Sequence, residues 1–447
     1  MASIASTVRN FKRDPDHFLP DDLIRDAVDA AGHRFRDRLL GPVLTVRLMI
    51  LQVLMGNVSG RSVLRLANIA ASDTAYFAAR VRLPVDVLGR LMLDVLGRAE
   101  SCCSGVGLWH GHRVLMIDGS GVSMPDAPVL RKAFGVPGRG LAGLGFPVMH
   151  TLWLFDHATG LLIDFVVDRW TAHDLAHAHR LHSMLEEGDV LLGDRAFGSY
   201  VHLALLLREN LHGVFRAHQR LIVDFAPGRK PRHEHKKRQR RGITRSTQLK
   251  KFDKTDQLVR WPKPPRRNCP AWMAPEDYEQ LPEQIVVREL RYTVTRKGFR
   301  TRQVTLITTL TDPRTYPKRE LASLYQQRWS IETNLRHLKQ TMKMDVLRSK
   351  TVEGVKKELY AYAIAYNLVR RHMLQAAAEQ GVPLDRISFI DALDALCHGG
   401  PITIRVNPKR PDRDEPRVIK RAKDHYTYMT RPRDQLRQAL GITRVAA

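Results

Sequence analysis

The chain has 447 residues, enough to bury a sizeable core and to hold two or three domains or one enlarged by an insertion, which excludes a peptide-sized binding module. Lys and Arg number 72 against 46 acidic residues, a net charge of +26 with an isoelectric point near 10.3, so the expected partner is a polyanion, nucleic acid being favoured over an anionic membrane. The longest apolar stretches, such as 201–207, fall far short of the roughly 20 residues a spanning helix needs, no secretion signal opens the chain, and four cysteines make no disulfide framework, so the expectation is a soluble intracellular enzyme.

From 19 to 100, apolar residues recur at three- and four-residue intervals through Leu40, Val43, Leu44, Leu48, Leu51 and Met55, interrupted at Gly56 and Gly60, which predicts a compact helical head. After 113 the period changes. Val114, Leu115, Met116 and Ile117 read as a short buried strand that ends on Asp118 and Gly119. Two β-rich runs follow at 151–155 and 161–167, with the residues between them forming a hairpin turn. Residues 172–187 read as helical, 190–192 as another buried strand ending at Gly193 and Asp194, a helix begins near Tyr200, and 213–215 suggests a further strand. The order β, β, β, α, β, α, β predicts a mixed α/β layer around a central sheet.

Between 222 and 283 the periodicity breaks down. Segment 229–251 holds eleven Lys or Arg against the single acid Glu234, and prolines stand at 262, 264, 265 and 270, so this stretch reads as a loop-rich basic insertion. Its cations either track phosphates, each one steepening the salt dependence of binding, or form a solvated loop. Strand signals return at 285–294 and 303–310, helical patterns run from Pro317 to about Met342, over 354–378 and over 387–396, and a basic tail follows with Lys409, Arg410, Arg413, Arg417, Lys420, Arg421 and Lys423.

Two acids sit in matching contexts, Asp118 after Val-Leu-Met-Ile and Asp194 after Val-Leu-Leu-Gly. Carboxylates projecting from the ends of neighbouring buried strands can share a metal ion, although Asp-Gly also starts an ordinary turn. On the helix after Pro317, residues Tyr325, Arg328, Glu332 and Lys339 follow one another at intervals of three, four and seven, which a uniform helix gathers within an arc of about 60°. Arg328 and Glu332 also suit a plain i,i+4 ion pair. In-line displacement at a phosphodiester needs charge stabilisation on the attacking and leaving oxygens, which two divalent ions provide, and hard ions such as magnesium need few carboxylates. Three acids without metal repel one another, which predicts a site that is incompletely organised until ions and DNA arrive. Arg195, next to Asp194, either reaches a phosphate or pairs with a structural acid.

Two other clusters read differently. His173, His177, His179 and His182 are dense, with 173 and 177 on one helix face, but lack the acid of an H-E-x-x-H site, so they read as surface or helix-packing residues. Cys102 and Cys103 with His110 and His112 do not fit zinc spacing.

The Tyr325, Arg328, Glu332, Lys339 pattern resembles the signature of the DDE transposases of bacterial insertion sequences, specifically the insertion-sequence-four family: Tyr, two residues, Arg, three residues, Glu, six residues, Lys. The flanking Leu347-Arg348-Ser349-Lys350 and Ala365-Tyr366-Asn367-Leu368-Val369-Arg370 are also similar to that family, and the resemblance spans about residues 20 to 380. It implies an α/β fold with an RNase H-like mixed-sheet core, Asp118 on the first strand, Asp194 after the fourth, and Glu332 on the helix beyond the insertion. It implies that Asp118, Asp194 and Glu332 bind two Mg²⁺ ions, with Mn²⁺ able to substitute, and that Tyr325, Arg328 and Lys339, joined by Arg195, Arg348 and Lys350, contact DNA. Trp261 and Trp272 are the candidates for supporting a base flipped from a hairpin intermediate.

The implied partners are the terminal inverted repeats of the element and target DNA, with a homodimer in the DNA complex, no membrane, and a cytoplasmic, nucleoid-associated location. The expected domains are a helical DNA-end-binding head at 1–105, a first part of the catalytic core at 106–220, a basic insertion with strands at 221–312, the second part of the core at 313–380, and a helical, basic carboxyl region at 381–447. Two rivals remain, an RNase H-like nuclease or resolvase that cuts without strand transfer and an inactive DNA-binding regulator.

Overall fold

A computed structural model describes residues 19–101, 107–137, 145–219, 221–226, 246–294 and 302–398, all within one compact unit. The helical head contains α1 (Asp21–Ala30), α2 (Pro42–Leu54), α3 (Gly60–Leu66), α4 (Asp73–Arg82) and α5 (Val85–Ser101). Its helix starts are chemically legible: Pro42 opens α2, and the hydroxyls of Ser59 and Ser72 accept from the amides of Ser62 and Ala75 to cap α3 and α4. In α2 nearly every residue is buried, because the helix is apolar on all sides rather than along one stripe.

The sheet begins with β1 (Val114–Ser123), β2 (Val148–Asp156) and β3 (Leu162–Arg169), followed by β4 (Val190–Gly193) and β5 (His212–Arg216). The strand order is β3-β2-β1-β4-β5, with β1–β2 and β2–β3 antiparallel and β1–β4 and β4–β5 parallel. Three antiparallel strands followed by two parallel to the first define an RNase H-like core, as expected. A short helix α6 (Pro128–Phe134) between β1 and β2 was not foreseen, and α7 (Asp174–Ala178) with a 3₁₀ turn (His179–Met184) replaces the single helix predicted at 172–187. Helix α8 (Tyr200–Arg208) joins β4 to β5.

The insertion extends this sheet. Strands β6 (Thr247–Asp253) and β7 (Asp256–Pro262), the short helix α9 (Pro275–Glu279), β8 (Gln284–Val294) and β9 (Arg302–Thr308) continue it from β5 in the order β9-β8-β7-β6, all antiparallel. The loop reading of 247–262 is corrected here. Exposed Lys250, Lys251 and Arg260 and the terminal Pro262 hid an alternation that buries Val259 and Trp261. Most of the 229–251 run and all of the basic tail lie outside the described residues, as do Cys102 and Cys103.

The remaining elements are α10 (Lys318–Gln327), α11 (Ser330–Arg336), a π turn (His337–Thr341), α12 (Val352–Gln380) and α13 (Phe389–His398). Helix α12 is the spine of one sheet face. The carboxamide of Asn367 accepts from the Leu162 amide at 2.9 Å and donates to the Leu162 carbonyl at 2.8 Å, capping the edge of the β2–β3 hairpin as another strand would. The Tyr366 hydroxyl donates to the Gly160 carbonyl, and Arg370 donates to the Tyr366 hydroxyl and to Asn334 of α11. The 365–370 motif therefore has a packing role, binding the hairpin and α11 to one helix. No helix among the described residues is long and apolar enough to cross a membrane.

Arg288 of β8 is fully buried, donates to Asp256 of β7 at 2.8 Å, and gives a second bond to the Tyr316 carbonyl just before α10. Removing the carboxylate would strand a buried cation. Asp256→Ala is expected to lower unfolding stability by about 3–5 kcal/mol, measured by urea denaturation, whereas a loss under ~1 kcal/mol would mean that β6–β8 are not integrated with the core.

Candidate active site

Strand β1 carries Val114, Met116 and Asp118 on one sheet face and Leu115, Ile117 and Gly119 on the other, by the simple alternation of a strand. Val114, Met116, Val190 and Leu192 pack on the same face as α12, which puts Asp118 and Asp194 on that side. Asp194 follows the end of β4, but the expectation that the first strand ends at Asp118 is corrected: β1 runs on to Ser123 against β2, so Asp118 lies midway along it, just past its pairing with β4. Asp118 accepts from the Gly119 amide at 2.9 Å, and Asp194, the residue after β4, accepts from the Ala196 amide at 2.7 Å. The turn chemistry weighed as an alternative is present at Asp194, which opens the turn after β4, and not at Asp118, since both Asp118 and Gly119 are paired within β1.

Glu332 arrives by a different route. The helical pattern after Pro317 is not continuous: the amides of Arg328, Ile331 and Glu332 bond to the carbonyls of Tyr325, Arg328 and Trp329, three residues back, so the chain tightens between α10 and α11. The following π turn loosens it again, with the Met342 amide bonded to the His337 carbonyl. The segment is therefore not the one uniform helix expected, yet Arg328 reaches Asp118 and Glu332, Tyr325 lies against Arg328, and Lys339 reaches Ser120 and Gly121, so the motif still faces the middle of β1.

Arg328 is the centre of that arrangement. One guanidinium nitrogen, Nη1, lies 3.6 Å from Asp118 Oδ2, and Nη2 lies 3.4 Å from Glu332 Oε1. Nη1 is buried and makes no hydrogen bond, so the pairing with Asp118 is electrostatic. The ring of Tyr325, itself buried, lies beneath the same guanidinium at 5.9 Å. The Lys339 ammonium donates to Ser120 Oγ at 3.1 Å and to the Gly121 carbonyl at 2.8 Å, which fixes it beside β1 with one of its three donors left over.

The electrostatics follow from this crowding. Burial, reinforced by the nearby charge of Asp194, pushes the Asp118 carboxyl up to about 6 against the pull of Arg328. Burial and Asp194 likewise raise the Tyr325 phenol, while burial pulls the Lys339 ammonium down. Among the described residues no three His, Cys, Asp or Glu side chains stand close enough to chelate one ion as they are. The donor chemistry nevertheless fits a hard divalent cation: the three acids offer only carboxylate oxygens, and Asp118 carries a desolvated, mutually repelled charge that a cation would relieve.

The other anticipated residues are dispersed. Arg195 is exposed and donates to Gln219 at 3.2 Å. Arg348 and Lys350 are exposed on a segment held by buried Glu358, whose carboxylate accepts from the amides of Arg348 and Ser349 and from Asn57. Trp261 is only 3% exposed, in β7, with its indole N–H donated to Glu289 at 3.0 Å, and Trp272 stacks on His179. Neither tryptophan joins the acids.

Two residues at the site were missed. Trp329, at the break between α10 and α11, is 62% exposed beside Arg328, and Arg216 ends β5, next to the strand that delivers Asp194, and influences Tyr325. An apolar residue inside the Tyr-to-Lys motif and a cation closing a buried strand were the available signals. Of the histidines, His173 caps α7 through the Leu175 amide, His177 faces Asp168, His179 stacks on Trp272, and His182 contacts His202.

The Transposase DDE domain family model matches residues 109–368, more than half of the chain and all three acids, and the chain belongs to that family. Membership carries a general dependence on divalent metal. The chain is 35% identical over 148 residues to the transposase InsG for insertion sequence element IS4 of Escherichia coli (strain K12), covering 32% of this chain and 31% of that protein. It is also 37% identical over 70 residues to a probable transposase for insertion sequence element IS5377 of Geobacillus stearothermophilus, covering 16% of this chain and 19% of the relative. The matched part thus spans about a third or less of these relatives. Among solved structures, a piggyBac transposase synaptic complex with hairpin DNA aligns with 86% of this chain and 78% of its own, at 11% identity and a TM-score of 0.42.

Because the Asp118 carboxyl titrates near 6 in the fold, its ionisation opposes folding without metal. The neutral acid's contribution is fully present below the unfolded value near 4 and is lost as pH rises through about 6. Asp118→Asn is therefore expected to raise metal-free stability at pH 8 by about 2 kcal/mol and to leave it unchanged below pH 4, as read by urea unfolding at the two pH values. Equal stability at pH 8 would contradict the crowding of charge at this position.

Proposed function

We propose that this protein is a DNA transposase that cleaves the ends of an insertion sequence and transfers the freed strand into target DNA, with Asp118, Asp194 and Glu332 holding two Mg²⁺ ions. What supports this reading is that Arg328 faces both Asp118 and Glu332 and that the charge of Asp194 bears on Asp118, on one side of an RNase H-like sheet. When bound, the ions would supply charge stabilisation to the oxygens of an in-line displacement. The chain's own residues do the positioning. Arg328 and Lys339 present donors to phosphate oxygens, Tyr325 backs the guanidinium, and Arg216 extends the cationic wall to β5.

That no three such side chains among the described residues stand close enough to chelate one ion supports a site that closes only when ions and DNA neutralise it. Arg328 then serves two states, paired with Asp118 and Glu332 in the empty site and released toward phosphate in the loaded one. Exposed Trp329 supplies an aromatic face beside this wall for an unstacked base, where stacking is worth about 1–3 kcal/mol. The net charge of +26 supports DNA as the partner, and the symmetry of paired element ends favours a homodimer in the complex.

Asp118→Ala, Asp194→Ala and Glu332→Ala are each expected to abolish metal-dependent cleavage of end DNA while end binding stays within about threefold of the parent, since phosphate contacts dominate affinity. Cleavage retained by any one variant removes that residue from the site, and product that is cut but never joined to target DNA returns the protein to the nuclease reading. Arg328→Ala and Lys339→Ala are each expected to weaken end binding and to reduce the slope of log affinity against log salt by about one phosphate contact. An unchanged slope would leave them as ion-pair and packing residues.

A further inference from the structure

Asp194 sits on a turn whose far side is held by buried histidines that the proposed chemistry does not use. The turn after β4 is closed by the Phe197 amide bonding to the Asp194 carbonyl at 3.3 Å, and the Phe197 carbonyl accepts from the Ser199 amide at 3.0 Å. That same carbonyl is 2.8 Å from His202 Nδ1. His202 Nε2 is 3.1 Å from His182 Nε2, and His182 Nδ1 is 2.9 Å from Glu209 Oε2. His202 is 1% exposed and His182 5%, whereas the Glu209 side chain is 37% exposed, so the chain of contacts runs from near the surface to the Asp194 turn.

The proton count of this chain is constrained. A carbonyl only accepts, so His202 Nδ1 carries the hydrogen, and a neutral His202 then offers a bare Nε2. His182 Nε2 must supply the hydrogen between the two rings. If His182 is also neutral, its Nδ1 lone pair faces the Glu209 oxygen with no hydrogen between them. Three contacts need three hydrogens and two neutral imidazoles carry two, so all three can be hydrogen bonds at once only when one further proton resides on the His182–Glu209 pair. Without it, one contact fails: His182 donates either to Glu209 or to His202, or His202 turns its hydrogen away from the turn.

The surroundings of each group are mixed. Burial, with His179 and Arg208 beside it, pulls the His182 imidazolium down to about 4, and its Nδ1 stands 2.9 Å from a Glu209 carboxylate oxygen. His202 is enclosed by Phe197, Phe215 and His182, and burial pulls it down to about 3, in keeping with its neutral form.

We propose that Glu209, His182 and His202 form a positioning relay for the turn that carries Asp194, complete only when the His182–Glu209 pair holds one extra proton. His202 touches none of the reacting groups and acts through the Phe197 carbonyl. The consequence for function rests on the transposase reading, in which Asp194 binds metal. The relay itself does not, because its hydrogens can be observed without DNA or metal.

The test has two arms on the full-length protein. In the first, imidazole ¹⁵N shifts of the metal-free protein are expected to show His202 protonated at Nδ1 and bare at Nε2, and Glu209→Gln, whose amide N–H supplies the third hydrogen permanently, is expected to keep that pattern when pH is raised. A hydrogen on His202 Nε2 at every pH would overturn the relay. In the second, His202→Phe is expected to raise the Mg²⁺ concentration for half-maximal cleavage about fivefold, the loss of one hydrogen bond, with His202→Asn, which restores a donor near Nδ1, recovering much of it. At high pH the parent is expected to need more Mg²⁺ than Glu209→Gln, and at low pH the two should coincide. Equal Mg²⁺ requirements throughout would reduce the histidines to core packing, and if His202→Phe does not fold, the Glu209→Gln comparison still decides. Absence of metal-dependent cleavage in the parent would instead strike the transposase reading and leave the first arm standing.

Discussion

A single guanidinium between two carboxylates, with a third acid repelling the first, is the constraint on which the candidate site depends. Arg328 lies 3.6 Å from Asp118 and 3.4 Å from Glu332, both longer than the roughly 2.7–2.9 Å of a charge-assisted hydrogen bond. The fold brings like charges together without satisfying them. Asp118 answers by binding its proton more tightly, and the rest of the structure keeps it from escaping into solvent.

That confinement comes from three independent anchors. Strand β1 is locked between β2 and β4 and cannot withdraw Asp118. Helix α11 is tied to α12 through Asn334 and Arg370, and to β1 through the Ser330 hydroxyl against the Met116 sulfur at 3.1 Å. The Asp194 turn is pinned from behind by His202. Each anchor uses buried polar contacts that would be costly to leave half made, so the acids are held near one another although nothing yet neutralises them.

Much of this was legible in the sequence, for reasons that can be named. The β1 and β4 runs are fully apolar and end abruptly on an acid, which is the mark of a strand buried on both faces, and the Tyr-Arg-Glu-Lys spacing located Glu332. What escaped was whatever depended on departures from ideal geometry or on distant partners. The tightening at Arg328 and the π turn at His337 leave no trace in a 3.6-residue pattern, so the predicted single helix became two helices and a π turn. Strands β6 and β7 were hidden by lysines that mark an exposed sheet, and Trp261, which the family resemblance offers as a support for a flipped base, is buried because β8 and Glu289 cover it. The 365–370 segment, which the sequence offers only as family-like, is a set of packing contacts.

Whether Asp118, Asp194 and Glu332 share ions is read from anomalous scattering by Mn²⁺ in crystals of the protein bound to element-end DNA. Two peaks about 3.5–4 Å apart are expected, both bounded by oxygens of these three side chains and a DNA phosphate, with Arg328 turned from Asp118 to that phosphate. Peaks elsewhere, or one of the three carboxylates beyond coordinating reach of both ions in the DNA-bound state, would contradict that sharing.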